Sequence, residues 1–395
     1  MRINPRSFAF TALLGLLAAL PALSIDMSAP TLVLLPVALK TSRTLANLTL
    51  SLFMAGFALG QFGGGNLSDG RGRRPVLLGG LACFTMGGLA CSVSQSGEAL
   101  AIFRLIQGFG AGACSAISFA MVQDLFEGEA ARAKRTYVTV IFGIVPILAP
   151  ALGAVLTDQF GWRSVHGVLA VAGGLLMAVT WAGVAESRLI GRGRLVPVDR
   201  NGAARLWRDA PFIRLVLANA FSYGVIFAYI AGSPVIIMEQ MGHSSTVFVG
   251  VFASTAVALV AGAWTGGWLA RRGTGAARLI NTALYAVAGA ALALGSAGLY
   301  GAASGAILIP LLLAVMFARG MIAPNLQHLA IERQRERAGA ASAVVGLSQL
   351  SMGVLASVAV AFLLPSFGLA AVTVPMAMLA AAALIVWKKS CLRGE

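Results

Sequence analysis

Long apolar segments separated by short polar ones run through the whole chain. A helix crosses about 30 Å of hydrocarbon in roughly 20 residues, because each residue adds about 1.5 Å. The segments of that length lie near residues 8–35, 45–67, 75–94, 99–123, 136–157, 164–185, 212–236, 245–269, 276–299, 303–327, 338–364 and 369–387. The pattern therefore predicts an all-α membrane protein with twelve transmembrane helices.

Basic residues fall mostly in alternate polar segments. The chain has 29 Lys and Arg against 14 Asp and Glu, a net charge of +15. If the amino terminus is inside, the outer loops hold only Lys40, Arg43 and Arg163. This asymmetry predicts cytoplasmic termini in a bacterial inner membrane. The charge then sets topology and contacts anionic lipid, and it does not indicate a nucleic-acid surface.

One short motif occurs twice, half a chain apart. GNLSDGRG at 65–72 follows the second span, and GGWLARRG at 266–273 follows the eighth. Repeats of this kind are typical of transporters built from two bundles related by a pseudo-two-fold axis along the membrane normal. We therefore predict a six-helix bundle at 1–185, a cytoplasmic central loop at 186–211 and a second six-helix bundle at 212–395.

The usual residue patterns of enzymes and metal sites are not found in the sequence. The four cysteines and three histidines have no metal-ligand spacing, and no nucleophile pattern or phosphate loop occurs. We therefore predict that the protein is not an enzyme and holds no metal.

Asp26 is the only carboxylate plainly inside an apolar segment. It lies about 27 Å along the first span, in its outer half, and a charge at that depth is costly enough to indicate function. Arg104, on the fourth span, lies at a similar depth. Three interpretations stay open: Asp26 exchanges a proton and supports substrate while Arg104 tunes it, the two form a static ion pair, or Asp26 is simply hydrated near the surface.

Glycine and proline recur at positions that predict helix packing and bending. Small residues four apart predict close packing between the second and fourth spans: Gly56, Gly60, Gly64, Gly108 and Gly112. The fifth span is predicted to bend, either to close a cavity or merely to pack, because its hydrogen-bond ladder is weakened at Gly143, Pro146, Pro150 and Gly153.

The polar stretch GGGNLSDGRGRRPV, residues 63–76, joins the second and third spans. We expect a sharp turn made by its glycines, Gly63, Gly64, Gly65, Gly70 and Gly72. Its arginines hold the loop on the inner side: Arg71, Arg73 and Arg74. A plain positive-inside loop without any gating role remains an alternative.

Several stretches together resemble the major facilitator superfamily, over nearly the whole chain. They are LSIDMSAP in the first span, GNLSDGRGRRPV after the second, RLIQGFGAG in the fourth, APALGA and then GWR at the end of the fifth, and YIAGSPVII in the seventh. Within the superfamily, the chain most resembles the Bcr/CflA (bicyclomycin/chloramphenicol) drug/proton antiporters.

The resemblance implies export of small amphipathic drugs in exchange for protons, by alternating access to a cavity between the bundles. It implies a monomer that needs a small-molecule substrate, a lipid bilayer and no cofactor beyond the proton. It also implies proton transfer by Arg104, an antiporter role for the fifth span, and a conformational latch at Gly65, Asp69, Arg71, Arg73 and Arg74. The family's usual arginine after Asp69 is Gly70 here, and the segment from Asp124 to Arg135 is expected to be mostly solvated.

The residues that could line an apolar pocket for a flat amphipathic compound are Met27, Phe53, Phe57, Tyr137, Tyr223, Phe227 and Tyr229. The second half has an intramembrane arginine, Arg319, without an acidic residue at similar depth. Two other functions stay open: a proton-coupled or facilitated metabolite importer, and a non-transporting membrane sensor or scaffold.

Overall fold

A computed structural model describes residues 3–187, 206–300, 304–334 and 337–391. The described residues are 90% helical, and no strand occurs among them. Those ranges contain twelve helices that are long and apolar enough to cross a membrane. The predicted fold class, an all-α membrane protein with twelve spanning helices, is confirmed.

The chain divides into two compact units, Met1–Arg194 and Leu195–Glu395. The division falls inside the predicted central loop at 186–211, most of which lies outside the described residues. The spanning helices of the first unit are α1 Phe8–Ser28, α2 Arg43–Arg71, α3 Arg73–Ser92, α4 Gly97–Leu125, α5 Gly128–Phe160 and α6 Trp162–Gly183. Those of the second unit are α7 Ala210–Pro234, α8 Ser245–Arg271, α9 Ala276–Leu299, α10 Gly305–Arg333, α11 Ala338–Phe367 and α12 Ala370–Cys391.

Short irregular segments extend two of these helices. After α1, the chain continues as a 3-10 turn at Ala29–Val33 and a single helical turn at Leu35–Ala38. After α7, it continues as a π-helix at Val235–Gln240. Proline occurs where each regular helix gives way, because its ring removes one backbone donor from the ladder.

Several helices begin at a polar side chain that accepts a hydrogen bond from the backbone three residues later. Such caps satisfy amide groups that the first turn of a helix leaves unpaired. The capping residues are Ser7, Ser42, Ser96, Asp209 and Ser244, for α1, α2, α4, α7 and α8 respectively.

Two predicted loops are helical in the structure. α2 continues through Gly63, Gly64, Gly65 and Gly70, and α5 begins at Gly128 rather than near residue 136. Hydropathy marks only the apolar part of a helix, whereas the Ala, Glu, Lys and Arg residues of 128–135 are good helix formers that extend α5 beyond it. The prediction of a glycine-rich loop was therefore wrong. The segment 124–135 is mostly helix rather than loop, but most of its residues are exposed, as expected.

Gly72 alone connects α2 to α3, with a φ of +97°. Gly273, its counterpart in the repeated motif, has a φ of +86° and follows α8. Residues that carry a Cβ rarely adopt a positive φ, so both positions favour glycine. The sequence repeat therefore places a positive-φ glycine after the second spanning helix of each unit, although one residue connects α2 to α3 and four residues connect α8 to α9.

Candidate functional site

Arg104 of α4 is held by hydroxyl and amide oxygens inside the first unit. Its Nη1 donates to Ser24 Oγ (2.7 Å) and Gln107 Oε1 (2.9 Å), and its Nη2 donates to Ser28 Oγ (3.0 Å). Its guanidinium carbon lies 4.2 Å from the centre of the Phe53 ring on α2. The side chain is only 1% exposed. Arg104 therefore links three helices through neutral partners.

Asp26 is buried but does not pair with Arg104. Ser24 and Ser28 are one turn apart and share the face of α1 that meets α4, whereas Asp26 lies about 200° around the helix from Ser24. Asp26 is 4% exposed, and it has no ion pair or hydrogen bond within the described part of the chain. In this conformation Asp26 and Arg104 do not form the static ion pair that was one of the three interpretations, and no cation pairs with the buried Asp26 in the described ranges.

The other side of α1 packs closely on α5. A Cβ at Gly153 would collide with the Met27 carbonyl, so the two backbones touch there. Met27 is 2% exposed, which makes it a packing residue here rather than an open pocket wall. α5 runs without interruption through Pro146 and Pro150, and nothing lies within 4 Å of a Cβ placed on Gly143.

The predicted glycines bring α2 and α4 into backbone contact. A Cβ on Gly56 or Gly60 would collide with the carbonyls of Leu105 or Phe109 on α4. The contact is reciprocal, because a Cβ on Gly108 or Gly112 would collide with carbonyls of α2, those of Phe53 and Phe57. A Cβ on Gly64 would lie only 2.7 Å from the Cα of Ala113 on α4. This close packing places Phe53 directly beneath Arg104.

At the end of α2, the predicted latch residues form a cluster around Arg73. Its Nη1 lies 2.8 Å from Asp69 Oδ1 and 2.7 Å from Ser68 Oγ. Its Nε donates to Asp124 Oδ2 at the end of α4 (2.8 Å). Asp124 is thus the second acid of the cluster, and Arg73 joins α3 to both α2 and α4.

Glu186, just beyond α6, completes this cluster. The backbone amides of Arg73 and Arg74 donate to Glu186 Oε1 (2.8 Å) and Oε2 (3.0 Å), at the amino end of α3. A carboxylate there is stabilised by the helix dipole and satisfies two unpaired amides. A Cβ on Gly72 would lie 2.6 Å from Glu186 Oε2, so a side chain there would push the Glu186 carboxylate out of this contact.

The remaining latch residues have other surroundings. Arg74 Nη2 donates to the Trp181 carbonyl of α6 (2.7 Å). Arg71 is exposed and takes part in none of these contacts. Gly65 lies within α2, where its carbonyl accepts from Ser68 Oγ (2.8 Å) and a Cβ would touch nothing.

The aromatic pocket candidates do not form one group. Tyr137 is 58% exposed, and Phe53 is buried under Arg104. In the second unit, the rings of Tyr223 and Phe227 lie 5.0 Å apart. Tyr229 stacks on Phe252 and lines a small cavity of about 40 Å³ within that unit, together with Ser233, Ile237, Val372 and Met376.

Sequence reasoning missed the partners of the charged residues rather than the charges themselves. Ser24 and Ser28 could have been found from their four-residue spacing beside Asp26, since that spacing marks one helix face. Glu186 could have been found as an acid directly after the sixth span, on the same predicted side as the segment at 63–76. Gln107 and Asp124 carried no comparable signal.

Relatives of the chain include an MFS-type transporter and proteins named for drug resistance. YdgK of Bacillus subtilis, an uncharacterized MFS-type transporter, is 30% identical over 88% of this chain and 87% of its own. The multidrug resistance protein MdtL of Salmonella paratyphi C is 31% identical over 56% of each chain, so the match spans about half of that relative. A bicyclomycin resistance protein homolog of Haemophilus influenzae is 25% identical over 90% of this chain and 89% of its own.

The fold matches solved transporters at low sequence identity. A crystal structure of a D-xylose-proton symporter superposes with a TM-score of 0.77 at 17% identity, covering 96% of this chain and 97% of the other. The family model described as Major Facilitator Superfamily matches residues 14–357. With its twelve apolar helices, the chain is therefore a multi-pass membrane protein that belongs to the Major Facilitator Superfamily of transporters.

Proposed function

We propose that this protein exports small amphipathic drugs, phenicol-like or bicyclomycin-like, in exchange for protons by alternating access. It does so as a monomer in the bacterial inner membrane, with both termini in the cytoplasm. The drug-resistance names of MdtL and of the bicyclomycin resistance homolog support the substrate class. The fold supports transport rather than catalysis.

The state of Asp26 is the observation that carries the proposal. A carboxylate removed from water is costly unless a cation balances it, and the alternative is to take up a proton. Asp26 is buried on α1 and no cation pairs with it in the described ranges. It can therefore take up and release a proton as its exposure changes, which a residue locked in an ion pair could not do as readily.

Arg104 has a different role in this proposal. Its guanidinium is bonded to Ser24, Ser28 and Gln107, so it fixes the rotation of α1 and thereby the direction in which Asp26 points. Arg104 positions the proton carrier, and Asp26 alone carries the proton.

Coupling then follows from linkage between two ligands. Export against a gradient requires that proton binding and substrate binding each lower the affinity for the other. Protonation of Asp26 on the outer side favours release of drug, and loss of the proton inside favours reloading. The Arg73 cluster lies at the ends of α2, α4 and α6. We expect its ion pairs and hydrogen bonds to form and break during such a transition.

Two other functions predict different behaviour. A metabolite importer of the same fold, for which the D-xylose-proton symporter is a fold-level precedent only, would take up its substrate together with protons or without them. A sensor or scaffold would tolerate loss of Asp26 and move no protons.

Proton release from inverted inner-membrane vesicles separates the three. Vesicles containing the protein are acidified inside by respiration, and chloramphenicol, bicyclomycin and a few lipophilic cations are added one at a time. Efflux of protons prompted by one compound supports antiport and identifies its substrate class. If none of these compounds prompts proton efflux although the protein is well expressed, the exporter proposal is overturned.

A further inference from the structure

A second buried arginine, Arg319 of α10, lies in the second unit. It is 2% exposed, and its Nε donates to the Ser222 carbonyl of α7 (2.9 Å). Its guanidinium carbon lies 5.9 Å from the centre of the Tyr223 ring. No carboxylate forms an ion pair with Arg319 in the described part of the chain. Arg319 is thus a buried cation with most of its donor groups uncommitted.

The α7 face beside Arg319 carries polar atoms that have no partner either. Among the described residues, Oδ1 and Nδ2 of Asn219 and Oγ of Ser222 are buried without a hydrogen bond. Asn219 is 1% exposed and Ser222 is fully buried. With Tyr223, these residues stand at positions i, i+3 and i+4, so they share one face of α7. Buried polar groups are normally paired, and a group of unpaired ones calls for an explanation.

The buried arginine of the first unit, Arg104, has hydrogen-bond acceptors for its guanidinium group. Arg104 is just as buried, yet two hydroxyls and an amide oxygen from Ser24, Ser28 and Gln107 accept its hydrogen bonds. Arg319 has a backbone carbonyl as its single acceptor in the described ranges, although Asn219 and Ser222 lie nearby on α7. The difference indicates that an acceptor from outside the chain completes the second site.

Both helices carry this cluster near their midpoints. Tyr223 is the fourteenth residue of α7, which has 25, and Arg319 is the fifteenth of α10, which has 29. Each is therefore about 20 Å from the start of its helix, far from either end. A ligand group at this depth must come with an apolar body, and the paired rings of Tyr223 and Phe227 are adjacent to receive it.

We propose that Arg319, Asn219, Ser222 and Tyr223 form a binding site for the carboxylate of an amphipathic aromatic ligand. A guanidinium presents parallel N–H donors that match the two oxygens of a carboxylate. The amide of Asn219 and the hydroxyl of Ser222 supply further donors. The ligand is a transported substrate only if the proposed function is right. Its binding to this site does not depend on the proposed function.

Equilibrium binding of two matched probes tests the site. The probes are 2-naphthoate and 2-naphthalenemethanol, which share one aromatic body and differ in the carboxylate. The full-length protein is purified in detergent, and the thermal unfolding midpoint is followed at rising probe concentration, from which each dissociation constant is obtained. We expect wild-type protein to bind the carboxylate at least about tenfold more tightly than the alcohol, as expected where a buried polar site loses its partner.

Variants at Arg319 assign the preference to this cluster. Arg319→Gln should bring the ratio of the two dissociation constants close to one, and Arg319→Lys should retain part of the preference because the charge remains. Arg278→Gln removes an exposed arginine of the same unit and should leave the ratio unchanged. Asn219→Ala should lower this ratio several-fold. It tests the site on its own if Arg319→Gln does not fold.

Three results would overturn the site: equal binding of both probes by wild-type protein, binding of neither, or a preference that survives both Arg319→Gln and Asn219→Ala. The experiment uses no proton gradient and no transport. A silent vesicle assay together with a clear preference would therefore reject the exporter proposal and leave the carboxylate site standing.

Discussion

Arg104 and Ser24, eighty residues apart in the chain, are joined by a hydrogen bond of 2.7 Å between Nη1 and Oγ. With Ser28, this contact holds α1 and α4 at one rotation, and it is the reason that Asp26 faces away from the arginine. The double variant Ser24→Ala, Ser28→Ala leaves a buried cation with Gln107 as its remaining side-chain acceptor. We expect it to lower the free energy of unfolding by about 1–3 kcal/mol.

Denaturant titration of the purified protein in mixed micelles measures that loss. Ser254→Ala is the matched control, because Ser254 is exposed on α8 and bonds only to the Gly250 carbonyl of its own helix. A double variant no less stable than this control would show that the serines do not hold Arg104.

Gly60 and Gly65 lie on the same helix and should respond oppositely to alanine. A Cβ at Gly60 collides with the Phe109 carbonyl, whereas a Cβ at Gly65 meets nothing within 4 Å. Gly60→Ala should destabilise the protein by about 1–3 kcal/mol or more, because backbone must move. Gly65→Ala should be neutral or stabilising by up to about 1 kcal/mol, since alanine is the better helix former. Titration of both variants checks this, and equal effects would contradict the packing described.

Asp124 and Asp69 both pair with Arg73, but they should contribute unequally. The side chain of Asp124 is 22% exposed and that of Asp69 is 53% exposed. Asp69→Asn should cost only about 0.2–1 kcal/mol, because water screens an exposed pair. Asp124→Asn should cost about 1–3 kcal/mol, as expected for a charge-assisted bond that is better shielded. Unfolding titrations of the two variants give the order, and the reverse order would refute this reading of the cluster.

Glu186 should stabilise the start of α3 through its charge. Glu186→Gln keeps one acceptor but removes the carboxylate from two backbone amides, and we expect a loss of about 0.5–2 kcal/mol. Glu129→Gln is the control, because Glu129 lies in the first turn of α5 and is exposed. The same titration compares them. A Glu186 variant as stable as the control would mean that the contact contributes nothing.

The helices were predictable because their length and hydropathy follow from the width of a bilayer. The ends of the helices were less predictable. The apolar pattern of α5 stops near residue 136, but the helix extends through charged residues back to Gly128. The glycine pairs on α2 and α4 were also predictable, since a four-residue spacing defines a helix face whatever the surroundings.

Side-chain pairing within the site could not be read in the same way. Asp26 and Arg104 were correctly placed inside spans, but whether they meet depends on how far α1 is rotated about its axis. The serine hydroxyls settle that rotation, and a single sequence does not. Glu186 reaches α3 across 113 positions of chain, and its contact exists only once α6 has folded back beside α3.

The central claim is that Asp26 alone carries the exchanged proton. It is tested most directly in the inverted vesicles by comparing wild-type protein with Asp26→Asn and with Asp158→Asn, which makes the same change at an exposed aspartate near the end of α5. Expression levels are matched, and proton efflux is recorded after addition of whichever compound drives it in wild-type protein. We predict efflux in the wild type and in Asp158→Asn, and none in Asp26→Asn. Undiminished efflux from Asp26→Asn would contradict the account.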